Sequence, residues 1–247
     1  PYNNKYVKEL GMTDKEASRS SYFGIVDLVG IPKDRYYLYK SYWKPKETTI
    51  HILPHWNWKG REGQITPVFA YTNGDCGELF INGKSQGKQC KKPSSDDSVE
   101  RFRLMWKDVV YHPGEIKVLA YKDGTLLGEK SIKTAGEPYQ LKLTPDKKTL
   151  KANGEDLSYI LVEAFDKDGN FCPLADDTID INIKGKAHLA GVGNGNPQSF
   201  APFKANSVKL FYGKAMIILE SENEMTSATV IVTSDGLKSD KVNIDIK

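Results

Sequence analysis

The sequence is poor in the residues from which common active sites are assembled. Its 247 residues include only four histidines and three cysteines. A serine or cysteine nucleophile needs a base within hydrogen-bond reach, and His51, His55, His112 and His188 are scattered over expected strand ends and loops. No Gly-x-Ser-x-Gly nucleophile elbow is expected in the chain, so a catalytic triad is not expected either. No Cys-x-x-Cys spacing occurs, which removes a zinc site of the usual kind. Cys76 and Cys90 could pair across a hairpin, but the favoured reading is that Cys76, Cys90 and Cys172 are three unlinked thiols. Charge of one sign is also scarce. The net charge is +3, with Lys and Arg interleaved among Asp and Glu, so no nucleic-acid partner is expected. No apolar run approaches the roughly 20 residues of a membrane span, and no leader pattern is read, so localisation is left open.

What is present argues for folded β domains. Hydrophobic residues make up 39% and aromatics 11%, with four tryptophans, which excludes a disordered tail. The length suits two domains of ordinary size. One segment is helical in pattern: residues 32–43 open on Pro32, carry Asp34 in the first turn, can align Tyr36, Leu38, Tyr39 and Tyr42, and stop before Pro45. Upstream, Thr13 and Glu16 have capping-box spacing for a short helical turn. A lone helix cannot bury its stripe without a partner layer, so residues 1–43 are expected to be the end of a domain whose beginning lies outside this chain.

From Thr49 onward the pattern has strand period. Runs at 65–71, 78–81, 99–106, 115–121 and 125–132 are separated by turn pairs such as Asn73-Gly74, Asn82-Gly83, Pro113-Gly114 and Asp123-Gly124. In 115–121, Ile116, Val118 and Ala120 share one face. A boundary is expected near Thr134-Ala-Gly-Glu-Pro138. Beyond it, runs at 139–143, 156–165, 178–183, 208–211, 214–219, 227–232 and 242–246 suit an immunoglobulin-like sandwich. The first set is expected to share that architecture.

Three loops invite a chemical reading. Asp166-Lys-Asp-Gly-Asn170 looks like half of a calcium loop but lacks the distal Glu, and a plain tight turn is favoured. Gly191-Val-Gly-Asn-Gly-Asn-Pro197 has no helix after it and therefore no phosphate cradle. His55-Trp-Asn-Trp58 is the strongest candidate. If it is extended, Trp56 and Trp58 project from one face, as a sugar-stacking platform or as the seal of a domain interface, and the position just after the helix favours the interface. Trp106, between Leu104 and Val109, is expected in the core.

Several stretches together resemble a known family. Ser18-Arg-Ser-Ser-Tyr-Phe-Gly-Ile-Val-Asp-Leu-Val-Gly-Ile-Pro-Lys-Asp-Arg-Tyr-Tyr-Leu-Tyr is similar to the end of the catalytic barrel of glycoside hydrolase family 2, in its β-galactosidase-like branch. Leu53-Pro-His-Trp-Asn-Trp58, Tyr71-Thr-Asn-Gly-Asp, Glu78-Leu-Phe-Ile-Asn-Gly-Lys-Ser, Tyr111-His-Pro-Gly-Glu-Ile and Gly193-Asn-Gly-Asn-Pro follow in the family's order. The resemblance implies a mainly β chain: a loop-helix remnant of a (β/α)8 barrel over 1–48, then immunoglobulin-like sandwiches over 49–136 and 137–247. It implies that both catalytic glutamates precede Ser18, that this chain holds no catalytic residue, metal or cofactor, and that its partners are the parent's barrel and, through it, a carbohydrate. His55, Trp56 and Trp58 are the candidate rim contacts. The parent would be a retaining hydrolase, most simply a β-galactosidase, and a periplasmic or extracellular setting is compatible with it. A carbohydrate-binding module and a tandem immunoglobulin-like adhesin are the other classes considered.

Overall fold

A computed structural model describes Ser20 and residues 22–247; the capping box expected at Thr13 and Glu16 lies outside the described residues. The chain is mainly β, with sandwich-like sheets, and separates into two compact units. One comprises Pro32–Glu137 with Asp166–Pro173, the other the described residues up to Ile31 with Pro138–Phe165 and Leu174–Lys247.

The first unit opens with helix α1, Asp34–Trp43, followed by β1 (Ile50–Leu53), β2 (Val68–Thr72), β3 (Cys76–Ile81), β4 (Lys84–Cys90), helix α2 (Ser98–Phe102), β5 (Leu104–Trp106), β6 (Glu115–Lys122) and β7 (Thr125–Lys133). Strands β1-β2-β5 form one antiparallel sheet and β4-β3-β6-β7 another. Period two decides what is buried: Ile116, Val118 and Ala120 of β6 point inward and are fully buried, as expected. Ile116 and Val118 join Leu79, Ile81, Ile52, Val68, Leu104 and Trp106 in one core, where each large side chain removed from water contributes about 1.5 to 3 kcal/mol. The turns at Asn82-Gly83 and Asp123-Gly124 hold all four residues at positive φ, between 48° and 79°. That is the backbone of a tight hairpin whose twist matches its strands.

Three expectations change here. Residues 99–106 do not form one strand. Asp97 Oδ1 accepts a hydrogen bond from Val99 N at 2.7 Å and caps α2, so a helical turn precedes the short β5. Strand β4, Lys-Ser-Gln-Gly-Lys-Gln-Cys, is not among the expected runs: it has no apolar alternation, because it is an exposed edge strand with nothing to bury. Cys76 and Cys90 are not free thiols. The antiparallel register sets them directly opposite, with Cα atoms 4.0 Å apart, and they form a disulfide; Cys172 is a buried thiol outside it.

The second unit contains β8 (Gln140–Pro145), β9 (Thr149–Leu150), β10 (Leu157–Phe165), β11 (Thr178–Gly185), β12 (Ala187–Gly193), β13 (Ser207–Lys209), β14 (Lys214–Ser221), β15 (Thr226–Ser234) and β16 (Leu237–Ile246). Strands β12-β14-β10-β8 and β16-β15-β11-β13 form two layers, with β9 beside β16. The layers are joined at the β8–β16 edge by the single pair Gln140 and Lys238. Alternate residues Ile160, Val162 and Ala164 of β10, Ala215, Ile217 and Leu219 of β14, and Val230 and Val232 of β15 are all fully buried. Strand β12 carries a bulge between Leu189 and Gly191, which lets the glycine-rich stretch pair with β14 before it leaves as a loop. No helix among the described residues is long and apolar enough to cross a membrane.

Candidate functional site

The segment 55–58 lies between β1 and β2, outside any strand, and the chain turns there. Trp56 and Trp58 consequently do not share a face. Trp56 is fully buried, its Nε1 donates to His112 O at 2.9 Å, and its ring meets Tyr111 edge-on at 5.0 Å. The carbonyl of Trp56 accepts from Thr134 Oγ1 at 2.6 Å. Asn57 exchanges two hydrogen bonds with the backbone of Ala135, donating at 2.8 Å and accepting at 3.1 Å, and Trp58 N donates to the Tyr111 hydroxyl at 3.2 Å. A tryptophan in a sealed core with its indole N–H satisfied is an anchor and offers no ring face to a ligand.

His55 and Trp58 remain partly exposed, stacked on each other with centroids 4.3 Å apart. The guanidinium of Arg61 lies 5.6 Å from the Trp58 ring. Burial pushes the His55 imidazole below its ordinary value, against a smaller upward pull from Asp34. Trp58 Nε1 is buried without an acceptor.

Helix α1 sits on β1 and β2 through a second cluster. His51 Nε2 and Asp34 Oδ1 are 2.7 Å apart, Tyr37 stacks on His51 at 4.0 Å, and the Arg103 guanidinium lies 5.7 Å from the Tyr71 ring. Burial raises the Tyr71 phenol against the charges of Arg103 and Arg35. At the other end of the helix, Tyr42 donates to Phe102 O at 3.1 Å. Lys91 donates to Thr72 O at 2.6 Å with its ammonium 4.9 Å from the Tyr42 ring, and burial lowers that amine to about 8. The helix still leaves Tyr39, Tyr42 and Trp43 exposed, Trp43 by 70%.

The loop at Asp166 is a closed turn. Its Oδ1 accepts from Asp168 N and Asn170 N, and its Oδ2 from Gly136 N and the Asn170 amide, at 2.7 to 3.0 Å. With both oxygens occupied by N–H donors the carboxylate is already satisfied, and no group of three His, Cys, Asp or Glu able to hold a metal occurs among the described residues. Gly83-Lys-Ser-Gln-Gly87 has the Gly-x-Ser-x-Gly spacing of a nucleophile elbow, contrary to the expectation that none occurs. Ser85 lies instead on the hairpin strand β4 and donates to Glu78 Oε1 at 2.5 Å, with no strand-to-helix turn beneath it. Other acids, such as Glu47 with Lys40 and Lys44, or Asp156 with Lys147, are held in ion pairs.

Residues 141–243 match the model of glycoside hydrolase family 2 C-terminal domain 5, and residues 63–128 match a domain of unknown function, DUF4982. The chain is 43% identical over 222 residues to the β-galactosidase BoGH2A of Bacteroides ovatus, covering 90% of this chain and 25% of that protein. It is 31% identical to a putative β-glucuronidase of Formosa agariphila, covering 85% of this chain and 20% of that protein. A β-glycosidase from Bacteroides vulgatus superposes with a TM-score of 0.84 at 34% identity, over 92% of this chain and 28% of that one. The chain thus spans about a quarter of the length of the curated relatives it matches.

Proposed function

We propose that this chain, which belongs to glycoside hydrolase family 2 and carries its C-terminal domain 5, is a non-catalytic accessory part of a retaining hydrolase that removes terminal β-linked sugars. The observation that carries this reading is the 43% identity to a β-galactosidase over nearly the whole chain, combined with its span of only 25% of that enzyme. β-Galactoside is the proposed glycone, and β-glucuronide the competing one, since relatives of both names are found. In the proposed division, residues 1–48 close the catalytic barrel and sandwiches follow over 49–136 and 137–247. The two catalytic carboxylates would stand on barrel strands about 5 Å apart and would come from residues preceding Ser18.

Within this reading the His55–Trp58 segment is chiefly a fastener. Trp56 is committed to the core, so any rim contact with sugar falls to His55 and Trp58, whose stacked pair remains partly exposed. The Cys76–Cys90 disulfide supports an oxidising compartment, periplasmic or extracellular, for the parent.

The test is a comparison of the full-length enzyme with this chain alone on nitrophenyl β-galactoside and β-glucuronide. Turnover by the full-length protein and none by the chain is the expected outcome, and appreciable hydrolysis by the chain would overturn the assignment of the carboxylates. Retention is checked by the anomer first released, read by proton NMR.

A further inference from the structure

The cluster between helix α1 and its sheet holds more positive charge and more hydrogen-bond donors than its own contacts use. His51 on β1 pairs with Tyr71 on β2, and Arg103, itself extended, precedes Leu104, which pairs with Ala70 on the other side of β2. His51, Tyr71 and Arg103 thus follow one another across the three strands, on the face away from the buried Ile52, Ala70 and Leu104. Helix α1 lies on that face, with Tyr37 stacked on His51 at 4.0 Å and Asp34 Oδ1 at 2.7 Å from His51 Nε2. Two guanidinium charges act on the Tyr71 phenol, those of Arg103 and Arg35. Neither arginine has an ion pair or a hydrogen bond among the described residues, and the nearby carboxylate of Asp34 is already engaged with His51.

Two of these donors are buried. Arg103 Nε is sealed from solvent and has no acceptor. Its contact with the Tyr71 ring, 5.7 Å from the guanidinium carbon to the centroid, is an attraction between charge and ring and leaves the N–H edge unanswered. Tyr71 is only 6% exposed, yet its hydroxyl makes no hydrogen bond to a described residue. Buried donors left unpaired are costly, and folded proteins keep few of them.

The donors define what would satisfy them. A guanidinium offers its N–H groups as a flat fork that meets two oxygens of one group side by side, and a phenol adds a single O–H. Burial raises the Tyr71 phenol, so the hydroxyl keeps its proton at neutral pH. A water or an amide carbonyl would answer the donors but leave the charges of Arg35 and Arg103 unmatched, whereas an oxyanion answers both. We propose that Arg103 and Tyr71, with Arg35 of α1 adding its charge, bind a small oxyanion, a carboxylate or a sulfate. Arg103 turns its Nε edge outward to receive it, a side-chain change of the kind that binding commonly brings. Held between residues of the helix and of the sheet, the ion fastens α1 to β2. The site lies wholly within the unit of Pro32–Glu137 and does not depend on the hydrolase reading.

Calorimetric titration of the full-length protein with sodium sulfate, and separately with sodium acetate, tests this, with ionic strength held constant by chloride. Saturable binding of at least one of the two anions is expected, and the stronger of them shows which oxyanion the site prefers. Arg103→Gln should weaken that binding about ten-fold, and Tyr71→Phe, which keeps the ring and so the packing, about five-fold. Lys84→Gln, which removes an exposed charge on β4, should leave it unchanged. If Arg103→Gln does not fold, Tyr71→Phe decides alone. No saturable binding of either anion overturns the site, and a carboxylate from another part of the parent already seated there would give that result. Binding that Tyr71→Phe retains at full strength, or that Lys84→Gln weakens equally, overturns it as well. None of these readouts needs turnover, so an inactive parent would count against the hydrolase reading alone.

Discussion

Asp166 shows how much one side chain can organise. Burial alone would raise its carboxyl, but the hydrogen bonds from the Asn170 amide and from the backbone of Gly136, Asn170 and Asp168 outweigh it and hold the group below its ordinary value. A folded value below the unfolded one means that the unfolded chain takes up the proton first. The stability Asp166 contributes is therefore complete above the ordinary carboxylate range and is lost as pH falls through the folded value. Asp166→Ala should cost about 2 to 4 kcal/mol in urea unfolding at neutral pH, because it strands several donors. It should also flatten the acid limb of the stability profile. Trp56→Ala should cost about 3 to 5 kcal/mol, whereas Trp58→Ala should cost about 1 kcal/mol, the two measured side by side by the same unfolding assay. Near-equal losses would contradict the division into a buried anchor and a surface ring. The sequence made this tryptophan pair conspicuous but not its facing. The i, i+2 argument assumes an extended backbone, and what bends the chain is the pairing of Trp56 and Asn57 with Thr134 and Ala135, 78 positions further on. Contacts at that separation leave no local pattern.

Among the elements, hairpins announced themselves and edges did not. Asn82-Gly83 and Asp123-Gly124 could be read as tight turns because positive φ at consecutive positions selects those residues. Strand β6 was equally plain, since alternate burial writes its period into the composition. Strand β4 lacks that signal, being polar throughout, and is held by what pairs with it: the β3 ladder and the Cys76–Cys90 bond. Reduction with dithiothreitol, or the paired substitution Cys76→Ser with Cys90→Ser, should lower stability by about 2 to 4 kcal/mol, read as a fall in the thermal midpoint. Cys172 should stay unlabelled by a thiol reagent until the chain unfolds, as it is buried. The short helix α2 was missed for a different reason. Its residues Ser-Val-Glu-Arg-Phe alternate well enough to pass for a strand, and only the Asp97 cap decides otherwise.

For the whole molecule, the mainly β architecture was legible because nearly every segment after Thr49 has period two. The breaks between units at Ile31–Pro32, Phe165–Asp166 and Pro173–Leu174 carry no such signal. Ile31 and Pro32 belong to different units, and the loop Asp166–Pro173 belongs to the unit of Pro32–Glu137 although β10 before it belongs to the other. No local property of the sequence marks such an exchange. The chain passes from unit to unit at four bonds, Ile31–Pro32, Glu137–Pro138, Phe165–Asp166 and Pro173–Leu174. A single cut therefore frees neither unit whole: ending the chain after Glu137 would strip Gly136 of the carboxylate that holds it. The same connectivity governs inheritance. A recombination crossover at Glu137–Pro138 would leave Pro32–Glu137 without Asp166–Pro173, so only transfer of both units together keeps each whole. The relatives described above match 85 to 92% of this chain, a span that takes in parts of both units.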